Sequence, residues 1–323
     1  MTPRERLLTV LRGEVPDCVP VCPDISNMVP TRLTGKPFWD IYVYQNPPLW
    51  KAYIDAVKRF DLDGGFELYR FDDPLEDGRA GLPRWRTKIV HRYGDGRFVT
   101  RERDEETGRW GRYVTVHTAG NPPASNVLPE KLGLPETPAD WEEIEGAREW
   151  PTGIELWKRI RKEMGDQGVV GLSTGSSTVL LGNPDDIYAY YDDPRPFYDK
   201  RDRMIAHVEQ RMKAIARLSL KPDFLRCGWS GTLVWQTPKI FRELTLPVLK
   251  RATELASDLG IPTHVHSCGP EKELVKMAVE ETELTVIDPL EPPPWATATW
   301  PNSNGATATA SSSRATCTPR RSC

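Results

Sequence analysis

The sequence has no apolar run long enough to cross a membrane and no basic tract before its last five residues. A membrane-spanning helix needs about 20 consecutive apolar residues, and the first residues carry charges where a signal peptide would be apolar. The formal net charge of −3 gives no positive field for nucleic acid or an anionic membrane surface. We therefore expect a cytoplasmic protein with a small-molecule partner, and no nucleic-acid or membrane partner.

Cysteine is scarce, with six residues in the whole chain. Six scattered cysteines are too few for a disulfide scaffold of this length, so we expect reduced thiols. Cys18 and Cys22 flank a predicted first strand, and we interpret them as packing residues. Cys268 differs because two histidines precede it at alternate positions.

The segment 263–269 reads Thr-His-Val-His-Ser-Cys-Gly. Alternate side chains of a strand point to one face, so His264, His266 and Cys268 would converge. Imidazole and thiolate bind zinc, and zinc with an open coordination position can hold a substrate thiol as a nucleophilic thiolate. The competing interpretation is a buried strand with Cys as a small apolar residue. The apolar run ends at Gly269, at the carboxyl end of a strand, where α/β folds build their sites.

Helix and strand patterns alternate along most of the chain. The patterns predict helices over 2–12, 50–60, 140–147, 153–164, 196–218, 238–259 and 271–280. They predict strands over 19–24, 64–69, 169–172, 222–229, 263–268 and 284–289. This alternation is typical of an α/β fold with a parallel sheet. A (β/α)8 barrel and a doubly wound open sheet both satisfy it.

Residues 87–118 change to a period of two around the turns at 94–96 and 106–108, which predicts an inserted antiparallel β-ribbon. We interpret its two histidines, His91 and His117, as structural.

Four side chains stand at or near the carboxyl ends of predicted strands. A barrel displays its chemistry at those ends, so we take these residues as substrate-binding candidates: Asp24, Glu67, Trp229 and Asp288.

Several stretches together resemble the uroporphyrinogen decarboxylase superfamily, which includes the corrinoid-linked and coenzyme M methyltransferases. They are Thr2-Pro-Arg-Glu-Arg-Leu-Leu, Tyr191-Asp192-Asp193-Pro194, Thr237-Pro238 with Phe241-Arg242-Glu243, and His266-Ser267-Cys268-Gly269. The likeness runs from residue 2 to about 295. It implies a (β/α)8 barrel domain over 1–295, with the β-ribbon as an insertion.

Two chemistries compete within that superfamily. The decarboxylases carry an Arg-Gln-Ala-Gly-Arg loop after the first strand, whose arginines pair with the acidic side arms of a porphyrinogen. Here residues 23–28 read Pro-Asp-Ile-Ser-Asn-Met, with no arginine before Arg32. The methyltransferase branch instead holds zinc with a His-x-Cys pair and a further cysteine near the end of the chain.

The resemblance therefore favours zinc-dependent methyl transfer to a thiol, with Zn²⁺ on His266 and Cys268. His264 would be a third ligand, a residue supporting the ligands, or part of the barrel core. A corrinoid is the implied methyl donor, and a corrinoid protein an implied partner. The alternatives are decarboxylation in porphyrin biosynthesis and a barrel that binds a metabolite or corrinoid without catalysis. No residue is identified as the catalytic one.

The composition changes abruptly after Trp295, since residues 296–323 are mostly Ala, Thr and Ser without a periodic apolar face. Such a segment cannot supply a barrel strand and helix, and its ordinary interpretation is a disordered tail. Read one base earlier, with a suitable choice of silent bases, its codons can encode Gly-Asp-Cys-Asp-Leu-Ala-Glu-Leu-Lys-Arg-Arg-Tyr-Gly-Asp-Arg-Leu-Val-Ile-Lys-Gly-Asn-Leu-His-Thr-Thr-Glu-Val-Met, which resembles the superfamily's next helix and strand. We therefore predict a frameshift, in the gene or its assembly, and a barrel that is incomplete at its C-terminus. The family's last zinc-ligating cysteine lies beyond this point, which leaves the activity of this chain in question.

Overall fold

A computed structural model describes residues 1–68, 85–151, 153–174, 177, 179, 184–228, 236–269, 271–288, 290, 293 and 315–316. The chain divides into two compact units. The parallel-sheet unit comprises residues 1–23, 62–76 and 153–323, and the antiparallel-sheet unit comprises 24–61 and 77–152. None of the described helices is long and apolar enough to cross a membrane.

Ten α-helices are named here in chain order. They are α1 (Pro3–Leu11), α2 (Met28–Leu33), α3 (Phe38–Tyr42), α4 (Leu49–Arg59), α5 (Gly153–Met164), α6 (Pro184–Asp192), α7 (Arg195–Arg217), α8 (Pro238–Ile240), α9 (Leu246–Asp258) and α10 (Glu271–Glu281). The predicted helix 238–259 is helical from Pro238 to Asp258, with a π-helical segment, Phe241–Thr245, joining α8 to α9.

The described strands number ten. They are β1 (Gly64–Leu68), β2 (Trp85–Arg92), β3 (Phe98–Asp104), β4 (Trp110–His117), β5 (Ala124–Val127), β6 (Gly168–Ser173), β7 (Leu225–Arg226), β8 (Thr263–His266), β9 (Val286–Asp288) and β10 (Ala315–Thr316).

The larger sheet has the order β1-β6-β7-β8-β9-β10, and its first five strands are parallel. Because spatial order follows chain order, right-handed crossovers put the connecting helices on one face, as in the wall of a barrel. A doubly wound sheet reverses its order at a switch point, and the described strands show no such reversal. The unit is thus an α/β fold with a curled parallel sheet, and the described strands do not close it into a barrel.

Residues 19–24 do not form the predicted first strand. Val21 N–H donates to Asp63 Oδ2 at 2.6 Å, and Asp63 N–H donates to the Val21 carbonyl at 2.9 Å. Pro20 and Pro23 have no N–H to continue a ladder on either side. The predicted strand over 19–24 was wrong. Its alternating apolar residues suit a strand, but Pro20 and Pro23 prevent the backbone from pairing.

Helix α1 begins as its sequence predicts. Thr2 Oγ1 accepts a hydrogen bond from the Glu5 N–H, and the Glu5 carboxylate accepts one from the Thr2 N–H, which is a capping box. Leu7 on its inner face packs in an apolar cluster with Cys22, Val169 and Phe224. Cys22 is therefore a packing residue, as expected, whereas Cys18 is exposed.

Two arginines of α1 attach it to the sheet. Arg6 Nη1 pairs with Asp63, and Arg4 Nη2 pairs with Asp223. Asp223 is 4% exposed, and its other carboxylate oxygen accepts the Val170 N–H at 2.8 Å. The Thr-Pro-Arg-Glu-Arg stretch thus combines a helix start with two ion pairs to buried carboxylates.

Strand β6 lies too close to its neighbours for side chains at two positions. A Cβ on Gly168 would stand 1.9 Å from the Gly64 carbonyl oxygen, and one on Gly171 would stand 2.6 Å from the Phe224 ring. Glycine at these positions permits the close approach of backbone and ring.

The antiparallel-sheet unit contains the predicted β-ribbon, with the strand order β2-β3-β4-β5. The predicted turns fall between β2 and β3 and between β3 and β4, and β5 extends the ribbon by one strand. The predicted helix over 140–147 is absent, because Glu142 instead forms an isolated bridge with Ile89 of β2. Ile89, Phe98, Val99 and Val114 are buried in this unit.

Candidate functional site

The carboxyl ends of β8 and β9 bring together the histidines of the sequence motif and Asp288. In the parallel register, His264 lies beside Val286 and His266 lies beside Asp288. Residues that are in register on neighbouring strands share a face of the sheet. The two strands therefore direct both imidazoles and the Asp288 carboxylate toward one place.

Asp288 lies between the two imidazoles. Its Oδ1 is 2.5 Å from His264 Nε2 and 3.3 Å from His266 Nδ1. The side chains of Asp288 and His264 are both less than one-tenth exposed. A carboxylate this deeply buried requires compensating N–H donors. In the tautomer with hydrogens on the nitrogens that face Asp288, the His266 Nε2 lone pair lies on the opposite side.

The Cys268 thiol stands on that opposite side. Its Sγ is 3.4 Å from His266 Nε2. A tetrahedral zinc ion with one nitrogen ligand at about 2.05 Å and one sulfur ligand at about 2.3 Å separates those two atoms by about 3.5 Å. The observed separation therefore fits two ligands of a single zinc ion. His266 and Cys268 are both partly exposed, so the pair remains accessible.

The geometry suits two kinds of chemistry. In metal sites, a carboxylate commonly orients a ligating imidazole from its other nitrogen, and Asp288 occupies that position on His266. Without a metal, the same three groups could act as thiol nucleophile, imidazole base and orienting carboxylate. Both depend on the Asp288 contact, which the sequence did not predict.

A third metal ligand is not found among the residues that the structure describes, where no group of three or more His, Cys, Asp or Glu side chains is arranged to hold a metal. His264 is 7% exposed and directs Nε2 at Asp288. Its position is that of a group holding the carboxylate in place, rather than that of a ligand beside Cys268.

The other predicted substrate-binding residues lie in different surroundings. Asp24 belongs to the antiparallel-sheet unit, is exposed and accepts a hydrogen bond from the Ser26 N–H at 2.7 Å. It does not follow a strand, since 19–24 form none. The backbone of Glu67 is in β1 beside Gly171, but its side chain lies outside the described residues, as does the whole of Trp229.

The sequence patterns did not single out Arg226, which lies beside His264 in register on β7. It is 6% exposed, and its Nε–H donates to the Gly228 carbonyl at 3.0 Å. A charged residue within the short apolar stretch 224–227 was the available signal, because arginine is seldom buried without a structural or functional reason.

Comparison with known proteins gives no match to this chain, either to a protein family or to a curated protein.

Proposed function

We propose that this chain is a uroporphyrinogen decarboxylase superfamily barrel whose complete form transfers a methyl group to a thiol, with zinc on His266 and Cys268. The observation that carries the proposal is the 3.4 Å separation of His266 Nε2 and Cys268 Sγ. The order of the parallel strands supports the (β/α)8 architecture, because each β/α unit adds beside the previous one.

The residues of the chain have separate tasks in this proposal. Zinc bound here would lower the pKa of a coordinated substrate thiol and so supply a thiolate at neutral pH. His266 contributes the Nε2 lone pair and Cys268 its thiolate. Asp288 fixes the orientation and hydrogen position of His266, and His264 holds Asp288. A corrinoid, free or carried by a corrinoid protein, is the proposed methyl donor.

We further propose that a frameshift after Trp295 has replaced the last strands of the barrel. The composition change at residue 296 supports it, as does the re-reading of the codons as a helix and strand. In addition, β10 pairs antiparallel with β9, through Ala315 opposite Ile287. A barrel wall would place a parallel strand at that edge.

Unfilled apolar space in the parallel-sheet unit also supports an incomplete barrel. A cavity of about 240 Å³ lies between α1 and the sheet, lined by residues that include Leu7, Leu11 and Phe224. Val15 is 89% exposed and Val19 is 57% exposed at the same cavity. The interior of a complete barrel is filled with side chains. Apolar side chains that remain exposed favour association between molecules, so we expect this chain to have low solubility.

Zinc analysis tests the proposal. A chain with the upstream frame restored should bind one zinc per chain by elemental mass spectrometry, and His266→Ala should lose it. His207→Ala, on the exposed surface of α7, is the matched control and should keep the metal. The chain with the present tail should bind less zinc, because the described residues offer no third ligand and the family's last zinc-ligating cysteine lies beyond the proposed frameshift.

Other outcomes would favour the alternatives. Porphyrinogen turnover by the restored chain without bound zinc would indicate a decarboxylase. Neither zinc nor turnover, with retained binding of a corrinoid, would indicate a barrel that binds without catalysis. Resequencing that finds the present frame intact and naturally ending at Cys323 would refute the frameshift.

A further inference from the structure

The antiparallel-sheet unit contains a buried arginine that no carboxylate of the described residues pairs with. Arg101 of β3 is 6% exposed, and the described residues form no ion pair with it. Its Nε–H donates to the Gly111 carbonyl at 2.6 Å, and its Nη1 donates to the Glu136 carbonyl at 2.6 Å. A guanidinium has five N–H donors, so three of the five make no hydrogen bond to the described part of the chain.

Burial without a counter-ion is unfavourable for this cation. Desolvation lowers the pKa of Arg101, and the carboxylates of Glu136 and Glu130 oppose that effect only through space. By contrast, Lys88, which is paired with Arg101 in the β2–β3 register, contacts two carboxylates, with Nζ 2.6 Å from Glu143 Oε1. Of these two buried cations, Lys88 forms ion pairs with carboxylates and Arg101 forms none with the residues that the structure describes.

Arg101 also lines a cavity of about 210 Å³. The other walls are largely apolar and come from β2, β4 and the segment 129–140, including Val90, Val114, Pro129 and Leu134. Asp140 is the one acidic side chain in this lining, and it is exposed. Pockets for drug-sized ligands run to about 300–1,000 Å³, so this one suits a smaller molecule.

The strands bend at this place. Val90 is an unpaired residue in β2, because Ile89 pairs with Thr100 and His91 pairs with Val99. The β3–β4 register also shifts just after Arg101. Such bulges redirect side chains and interrupt pairing beside binding sites.

We propose that this cavity binds a small organic carboxylate, with its charge on Arg101 and its apolar body among the valine, proline and leucine side chains. Arginine is suited to a carboxylate because two of its N–H groups can donate in parallel to the two oxygens. The apolar walls favour a carboxylate with a hydrocarbon body over a bare inorganic anion. This site is independent of the function proposed for His266 and Cys268.

Benzoate is the probe, with uncharged benzamide as its control, and binding to the full chain is measured by titration calorimetry. We expect saturable binding of one benzoate per chain and at least about tenfold weaker binding of benzamide, since a charged hydrogen bond is lost. Arg101→Gln should abolish benzoate binding. Arg112→Gln, on the exposed surface of β4, should leave it unchanged.

If Arg101→Gln does not fold, a second variant tests whether benzoate binds in this cavity. Ala139→Trp keeps Arg101 and places a large side chain at an exposed residue of the cavity lining. It should weaken benzoate binding at least about tenfold. Absence of saturable binding, equal binding of benzamide, or undiminished binding by the folded variants would overturn the proposal.

Discussion

Acidification should destabilise the antiparallel sheet through His117. This residue of β4 is 5% exposed, lies 2.8 Å through Nε2 from Thr100 Oγ1 and stacks on Phe98 with ring centroids 4.9 Å apart. Its Nδ1 makes no hydrogen bond to the described residues. Burial lowers the pKa of His117 from 6.5 to about 4, because the charged imidazolium would lose its hydration.

The sign of the effect follows from proton binding. Between pH 6.5 and about 4 the unfolded chain binds a proton at this histidine and the folded chain does not, so stability falls as the pH is lowered. At about 1.4 kcal/mol for each pH unit, the loss is about 2 kcal/mol by pH 5 and about 3 kcal/mol below pH 4. Above pH 7 the histidine contributes no pH dependence.

Urea denaturation at pH 7.5, 6, 5 and 4.5 measures this loss, and hydrogen exchange of residues 98–117 assigns it to the sheet. His117→Gln should remove about 2 kcal/mol of the difference between pH 7.5 and pH 5. His91→Gln, on β2 of the same sheet, is the matched control and should keep the full acid loss, because His117 is still present. An unchanged acid loss in folded His117→Gln would refute the reasoning.

Asp223→Ala should lower the free energy of unfolding by about 3 kcal/mol in urea denaturation, because it removes the carboxylate that pairs with Arg4 and with Arg161, whose Nε lies 3.2 Å from Asp223 Oδ2. Asp95→Ala, in an exposed turn, should leave the midpoint unchanged. Gly171→Ala should lower it by about 1–3 kcal/mol through overpacking against the neighbouring phenylalanine ring; an unchanged midpoint would contradict this packing. Iodoacetamide on the native chain, followed by peptide mass spectrometry, should label Cys268 but not Cys227, because burial raises the pKa of the Cys227 thiol to about 12. Native labelling of both at similar rates would contradict that burial.

Local patterns predicted most elements that depend on neighbouring residues. The start of α1 was predictable because Thr2 and Glu5 cap each other within a single turn. The β-ribbon was predictable because its alternation and its turns are local. The strand over 19–24 was not, because pairing requires donors that Pro20 and Pro23 lack.

The candidate site was predictable only in part. The spacing of His264, His266 and Cys268 is a local property, and their convergence follows from the geometry of one strand and the residues after it. The role of Asp288 depends on the β8–β9 register, which joins residues 24 positions apart. Its sequence position indicated a strand end and therefore a substrate contact, but not the two imidazoles.

The sequence by itself determined the alternation of helices and strands, the place of the ribbon and the residues of the His-x-His-x-Cys motif. Only the tertiary structure decided the order of the parallel strands, and that order separates a barrel wall from a doubly wound sheet. The burial of Arg101 likewise follows only from the tertiary structure, in which no described carboxylate forms an ion pair with it. The physical reason is that periodicity reports which face of an element is apolar, whereas pairing and charge burial depend on segments distant in sequence.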